Sequence, residues 1–193
     1  MHGTKILAIL ALMLASAPSY ASEDCNHMLQ LAIDAAVGEP TAQYNLAVEH
    51  WRGECVEKDL SISRNLWEKA ADAGMADAYN NYGYLLYYGL GGEPNLKGAV
   101  RSWRRGRDLG SYEAMIHLAQ AHLDGLHLRK NANKAKILAT AAKECASLDG
   151  SETHIDMAEE LLTETGDQFS AREKREVTEL VALCTGTKDP SES

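Results

Sequence analysis

Gly38, Gly74 and Gly110 stand 36 residues apart, and four further columns keep that interval. Ala42, Ala78 and Ala114 form one, and Gly53, Gly89 and Gly125 another. Asp59, Asn95 and Asn131, then Leu66, Ser102 and Leu138, complete the set. A fixed period in this range marks stacked repeats, each burying its apolar face only against its neighbours. The chain must therefore fold as an array. Arrays present extended surfaces, so binding is their natural mode of action.

Three units span residues 38–74, 75–110 and 111–146, and each reads as two helical segments. In the first unit Leu46, Trp51, Leu66 and Ala70 fall at spacings that suit helical faces. Small residues recur where helices must touch closely: Ala42, Ala47 and Ala70, with their equivalents Ala78, Gly83 and Gly106. Gly53, Gly89 and Gly125 sit where each first helix ends, a position that often needs left-handed backbone. Pro94 just precedes a second helix and cannot lie inside one. No stretch alternates apolar and polar residues over strand length, so almost no sheet is expected. The fold class is all-α, an α/α superhelical solenoid with capping helices at both ends. A leading helix is predicted over Glu23–Val37, with Met28, Leu29, Ala32 and Ile33 as its apolar face. A closing helical pair is predicted over Ser151–Thr165 and Ser170–Leu183, within a C-terminal cap at 151–185. Ser170 and Glu173 have capping-box spacing, and the charges from Arg172 to Glu176 give the polar outer face that a terminal cap requires. The repeat domain is thus expected over 22–185, with 186–193 as a disordered tail.

Residues 1–21 read as a secretory signal. Lys5 supplies the positive end, Ile6 to Ala15 is an apolar run of ten residues, and Ser19-Tyr20-Ala21 fits a cleavage site. The run is shorter than the roughly 20 apolar residues a bilayer span needs; an uncleaved N-terminal anchor is the alternative. Cys25 lies behind Ser22-Glu23-Asp24, too far on for a lipid-modified start. The chain holds 19 basic and 28 acidic residues; removing Lys5 with the leader leaves 18 against 28. That balance favours solubility and speaks against nucleic acid or an anionic membrane as the main partner. All four cysteines, Cys25, Cys55, Cys145 and Cys184, follow the leader. An even count in an exported chain points to two disulfides, with three pairings open.

Ala42, Leu46, Gly53, Val56, Asp59, Lys69, Ala70, Ala71 and Gly74 carry a pattern that resembles the Sel1-like repeat. The likeness covers about 105 residues, Ala42 to Ala146, in three agreeing units. Cys55 and His127 stand where the loop normally has a second glycine, which Gly91 retains. The third unit has Ala139 in place of Trp67 and Trp103. The resemblance implies an α/α superhelix related to tetratricopeptide arrays and a role as adaptor or scaffold. It implies no catalytic residues and no cofactor.

The helical plan tests the three disulfide pairings. Successive antiparallel helices put alternate connections at opposite ends of the stack. Cys25 begins the leading helix and Cys55 follows the next, so both lie at one end. Cys145 ends the second helix of unit three and Cys184 ends a helix two later, so both lie at the other. Cross pairings would join opposite ends, whereas a disulfide needs Cα atoms within about 7 Å. The expected pairs are Cys25–Cys55 and Cys145–Cys184, which pin the two ends of the array.

Enzymatic signatures are sparse. His117, His122 and His127 recur every five residues, which spreads them around a helix, whereas helical zinc ligands sit at i, i+4. No metal site is expected. Neither G-x-S-x-G nor S-x-x-K occurs. The second absence bears on cysteine-rich Sel1-like proteins linked to β-lactam binding or hydrolysis; those carry a cysteine pair in each repeat, and here the second unit has none. Glu159, Glu160, Asp72 and Asp77 read as solvated helix faces.

Two features carry binding hypotheses. Tyr44, Trp51, Tyr79, Tyr82, Tyr84, Tyr87, Tyr88 and Tyr112 enrich the early units in aromatic rings, which supply large contact area with a polar tip. Packing between repeats is the plainer account of most of them. Tyr84 and Tyr88 lie off the core columns and are the candidate ligand-facing pair, with Asn45, Asn81 and Trp51 alongside. In the family the first helices line the concave surface. The second feature is Arg101, Arg104 and Arg105, which share a helical face by i, i+3, i+4 spacing. They are a candidate patch for an anionic partner; pairing with Glu68, Asp72 and Asp108 is the plainer account. The function expected is an exported adaptor that binds another protein in the periplasm or outside the cell. A component of a flagellar stator or polysaccharide-export machine, or a secreted host-interaction protein, is the alternative, and a β-lactam enzyme the last.

Overall fold

A computed structural model describes residues 25–166 and 168–186. The expected leader and nearly all of the expected tail lie outside them. The described residues form nine α-helices and no strand. Helix α1 (Met28–Ala36) leads the array, and three helix pairs follow: α2 (Pro40–Arg52) with α3 (Leu60–Asp72), α4 (Ala76–Tyr88) with α5 (Leu96–Asp108), and α6 (Tyr112–Asp124) with α7 (Ala132–Asp149). Helices α8 (Glu152–Thr163) and α9 (Ala171–Cys184) close the chain.

The repeated residues act at helix ends. Asp59, Asn95 and Asn131 are the N-caps of α3, α5 and α7, each accepting a hydrogen bond from a first-turn backbone N–H. Such a cap contributes about 1 kcal/mol. Gly53, Gly89 and Gly125 end α2, α4 and α6 at φ 75°, 67° and 74°. Ser170 and Glu173 make the expected capping box at α9. The third unit lacks the glycine that ends the other second helices and has Ala146 there. Helix α7 therefore runs on to Asp149 and ends at Gly150, φ 74°.

Each helix from α1 to α7 packs against the next, and α4 also touches α6, as α6 touches α8. No comparable contact joins α3 to α5 or α5 to α7. From α4 onward the first helices thus form a tight inner layer, while the second helices splay apart in an outer one. Alanine makes the inner contacts close: Ala47, Ala70, Ala78, Ala99, Ala114 and Ala119 have no exposed surface. Trp67 and Trp103 fill the space between layers. Gly83 is needed beside Trp103, because a Cβ there would lie 2.5 Å from the indole Nε1.

Both ends depart from the sequence-based plan. Helix α1 starts at Met28, and its inward stripe is Met28, Leu31 and Ala35. Leu29 and Ile33 are 74% and 47% exposed, and Ala32 is exposed too. An end helix has one neighbour, so its apolar residues outnumber the positions that α2 can cover. The closing helices do not pair as expected. Helix α9 lies along α7 and reaches α5 instead of packing closely on α8. Lys136 holds it there: its Nζ donates to the Gln168 carbonyl, lies 4.4 Å from the Phe169 ring centroid and 3.6 Å from the Glu173 carboxylate. Cys25 is bonded to Cys55 and Cys145 to Cys184, with Cα separations of 5.4 and 6.1 Å. Each bond joins groups at one end of the stack.

Candidate protein-binding surface

Helices α2, α4 and α6 carry a connected run of rings along the inner layer. Trp51, on the last turn of α2, lies 5.8 Å from the buried Trp67 and 6.0 Å from Tyr84 of α4, edge to face. Tyr84 is 4.6 Å from Tyr88 one turn on, and 6.0 Å from His117 of α6. His117 stacks on Trp103 at 4.9 Å. Tyr87 closes the circuit, 4.7 Å from Tyr88 and 5.6 Å from Trp103. Such pairs add about 0.5–1.5 kcal/mol each beyond area burial and fix the ring orientations. The run ends in solvent at Tyr88, which is 58% exposed. Beside it a hollow of 60 Å³ is lined by Tyr87, Tyr88, Trp103, His117, Gln120, Ala121 and Leu126.

The five residues singled out for this surface take different parts in it. Trp51, Tyr84 and Tyr88 are brought together. Trp51 and Tyr84 are half-buried and also pack on the core, so only Tyr88 offers most of its ring. Asn81 lies one turn before Tyr84, but its side-chain amide donates to the Tyr44 hydroxyl at 3.2 Å. Asn45 is exposed on α2. Tyr44 itself packs against Trp67, and burial raises its hydroxyl pKa. His117 is not among the residues expected from the sequence to form this surface. Its signal is the 36-residue column Asn45, Asn81, His117, which puts a polar side chain at one inner position in every unit. Burial, and secondarily the nearby His154, lowers its pKa to about 4, so the ring stacked on Trp103 is neutral near pH 7.

The arginine face is split by the fold. Arg101 and Arg105 line an outer groove between α3 and α5, whose other wall holds Glu68 and Asp72 and whose floor is Tyr79, Tyr82 and Leu86 of α4. The groove encloses 340 Å³. Arg104 does not line this groove; its charge acts on His122, whose pKa is lowered first by burial and then by Lys134 and Arg104. None of the ion pairs among the described residues takes up Arg101, Arg104 or Arg105. Glu68 accepts a 2.5 Å hydrogen bond from the Tyr82 hydroxyl. Burial, then this bond and the Glu68 charge, push the Tyr82 pKa up to about 12.

Among the described residues no group of three or more His, Cys, Asp or Glu is placed to hold a metal ion. His122 Nδ1 lies 3.4 Å from the Arg129 carbonyl, and His127 stands in the following loop at φ 49°.

Comparison with known proteins converges on one family. The Sel1 repeat model matches residues 40–75, 76–111 and 113–147. A similar solved structure is c5321, a protective antigen present in uropathogenic Escherichia coli strains that displays an SLR fold. The likeness has a TM-score of 0.62 at 21% identity, over 83% of this chain and 33% of that one. The chain therefore spans about a third of that protein's length. A Sel1 repeat protein from Oxalobacter formigenes aligns with a TM-score of 0.55 at 20% identity, over 69% of this chain and 97% of that one. At these identities the two structures speak for the fold.

Proposed function

The chain belongs to the Sel1 repeat family, whose members generally mediate protein–protein interaction, and we propose that this one is an exported adaptor that holds another protein on its inner face. The observation that carries this reading is the ring run from Trp51 through Tyr84 to the exposed Tyr88. Rigid aromatic side chains supply contact area at low entropic cost, and buried aromatics dominate binding energy at interfaces. Here the rings are fixed by one another before a partner arrives, which reduces the ordering cost of binding. Asn45 and Gln120, exposed on either side, supply hydrogen-bonding groups for a partner's backbone.

Export is supported by the two disulfides, which persist in oxidising compartments, and by the leader-like sequence of residues 1–21. No helix among the described residues is long and apolar enough to cross a membrane. The address that fits best is the periplasm, or the exterior of the cell.

A photo-crosslinking residue placed at Tyr88 in living cells tests the adaptor. The expected product is a discrete covalent complex with an envelope or extracellular protein, lost when Tyr84→Ala is added. Crosslinks confined to cytoplasmic proteins, or none at Tyr88 while other inner positions react, would overturn the reading.

A further inference from the structure

The outer layer contains two equivalent grooves, and the chain fills one of them with its own helix. Adding 36 to each residue number converts the α3/α5 groove into the α5/α7 groove. Of the walls, Glu68 and Asp72 become Arg104 and Asp108, which stay exposed. Arg101 and Arg105 become Ile137 and Ala141, and the floor residues Tyr79 and Tyr82 become Met115 and Leu118. In the second groove these four are 4%, 0%, 0% and 1% exposed. They belong to one apolar cluster with Val177 of α9, against which Leu180 and Val181 also pack. Helix α9 touches both α7 and α5. The slot between two splayed outer helices thus accepts an α-helix, and its floor and its α7 wall are apolar where the occupant is permanent.

In the α3/α5 groove the same positions are charged or phenolic. Glu68 and Asp72 form an acidic wall, Arg101 and Arg105 a basic one, and Tyr79 and Tyr82 the floor. Walls of this kind can release an occupant into water, since neither they nor the tyrosine hydroxyls are stranded without it. We propose that this groove receives an amphipathic helix from another protein. That helix presents a seam of apolar residues to Tyr79 and Tyr82. It carries lysine or arginine on the flank facing Glu68 and Asp72, and aspartate or glutamate on the flank facing Arg101 and Arg105. The opposite signs of the two walls fix the direction of the incoming helix, because a reversed helix sets like charges against each other. Helix α9 shows the same device: Glu173 on its flank meets Lys136 of α7, and Val177 one turn on is buried.

The test uses the disulfide-bonded chain and two synthetic helices of fourteen residues, the length of α9. Both carry the Val177–Leu180–Val181 apolar spacing. One has basic and acidic flanks matched to the walls, and the other has the flanks exchanged. Fluorescence anisotropy is expected to show saturable binding of the matched helix, at least about tenfold tighter than the exchanged one. Arg101→Glu with Arg105→Glu should remove that preference. Adding Glu68→Lys and Asp72→Lys should reverse it. All four side chains are surface groups, so circular dichroism of each variant is expected to match the parent. Absence of binding by either helix, or affinity indifferent to the wall charges, overturns the proposal. Self-association of the parent chain that Arg101→Glu with Arg105→Glu abolishes would assign the groove to a second copy and overturn it equally.

Discussion

The His117 imidazole of α6 lies against the Trp103 indole of α5, ring centroids 4.9 Å apart and planes 19° from parallel. One unit is thereby joined to the next through a titratable group that is neutral when folded. Its folded pKa, about 4, lies below the ordinary value of 6.5, so the unfolded chain binds the proton more readily. The stability it confers is complete above about pH 6.5 and is lost as pH falls toward 4, up to roughly 3 kcal/mol. Thermal melts between about pH 7.5 and about pH 4.5 check this, with His117→Gln expected to lose less stability over that range than the parent. Parallel decline of the two chains would place the acid sensitivity elsewhere.

Gly83→Ala tests the contact between layers. The added Cβ meets the Trp103 Nε1 at 2.5 Å, where that nitrogen donates to the Asn80 carbonyl. Overpacking of this kind costs about 1–3 kcal/mol, despite alanine's better helix propensity. Urea unfolding should show a lower midpoint with an unchanged slope.

The exposed and half-buried rings should separate structural from binding effects. Tyr88→Ala is expected to cost about 1 kcal/mol, because its ring is mostly in solvent and loses little beyond its contacts with Tyr84 and Tyr87. Tyr84→Ala should cost about 2–3 kcal/mol, since its ring packs on Trp51, Tyr88 and His117. Partner capture should be weakened by both, so Tyr88→Ala is the cleaner probe of recognition.

Reduction of Cys145–Cys184 should free α9. The bond closes a span of 39 residues, and in the chain-entropy model its loss costs about 4 kcal/mol. Cys145→Ser with Cys184→Ser is expected to speed hydrogen exchange in α9 and in the α7 segment around Ile137 and Ala141. Protection retained in both would show that Lys136 and the apolar seam hold the helix unaided.

Much of the fold can be read in the chain because each repeated column has a local cause. Asp59, Asn95 and Asn131 start helices, and Gly53, Gly89 and Gly125 end them, whatever surrounds the unit. Where local cause stops, so does legibility. The stripe on α1 is ambiguous because apolar residues occupy nearly every side of it and only α2 selects Met28, Leu31 and Ala35. The place of α9 depends on Lys136, 32 residues before its partner Gln168, and no spacing rule connects them. Arg101, Arg104 and Arg105 share a face of an isolated helix, but only Arg101 and Arg105 line the groove between α3 and α5. His117 is legible as a member of the column Asn45, Asn81, His117, but its five-residue spacing to His122 and on to His127 gives the competing signal of a metal ligand.

Helix α4 bears Tyr84 and Tyr88 on the inner side, while Tyr79 and Tyr82 form the floor of the outer groove. A single helix is thus a partition with a working surface on each side, in the one unit without a cysteine. Two proteins seated on those surfaces would be held about 10 Å apart, the thickness of a helix with its side chains. The middle unit then sets the distance between two guests.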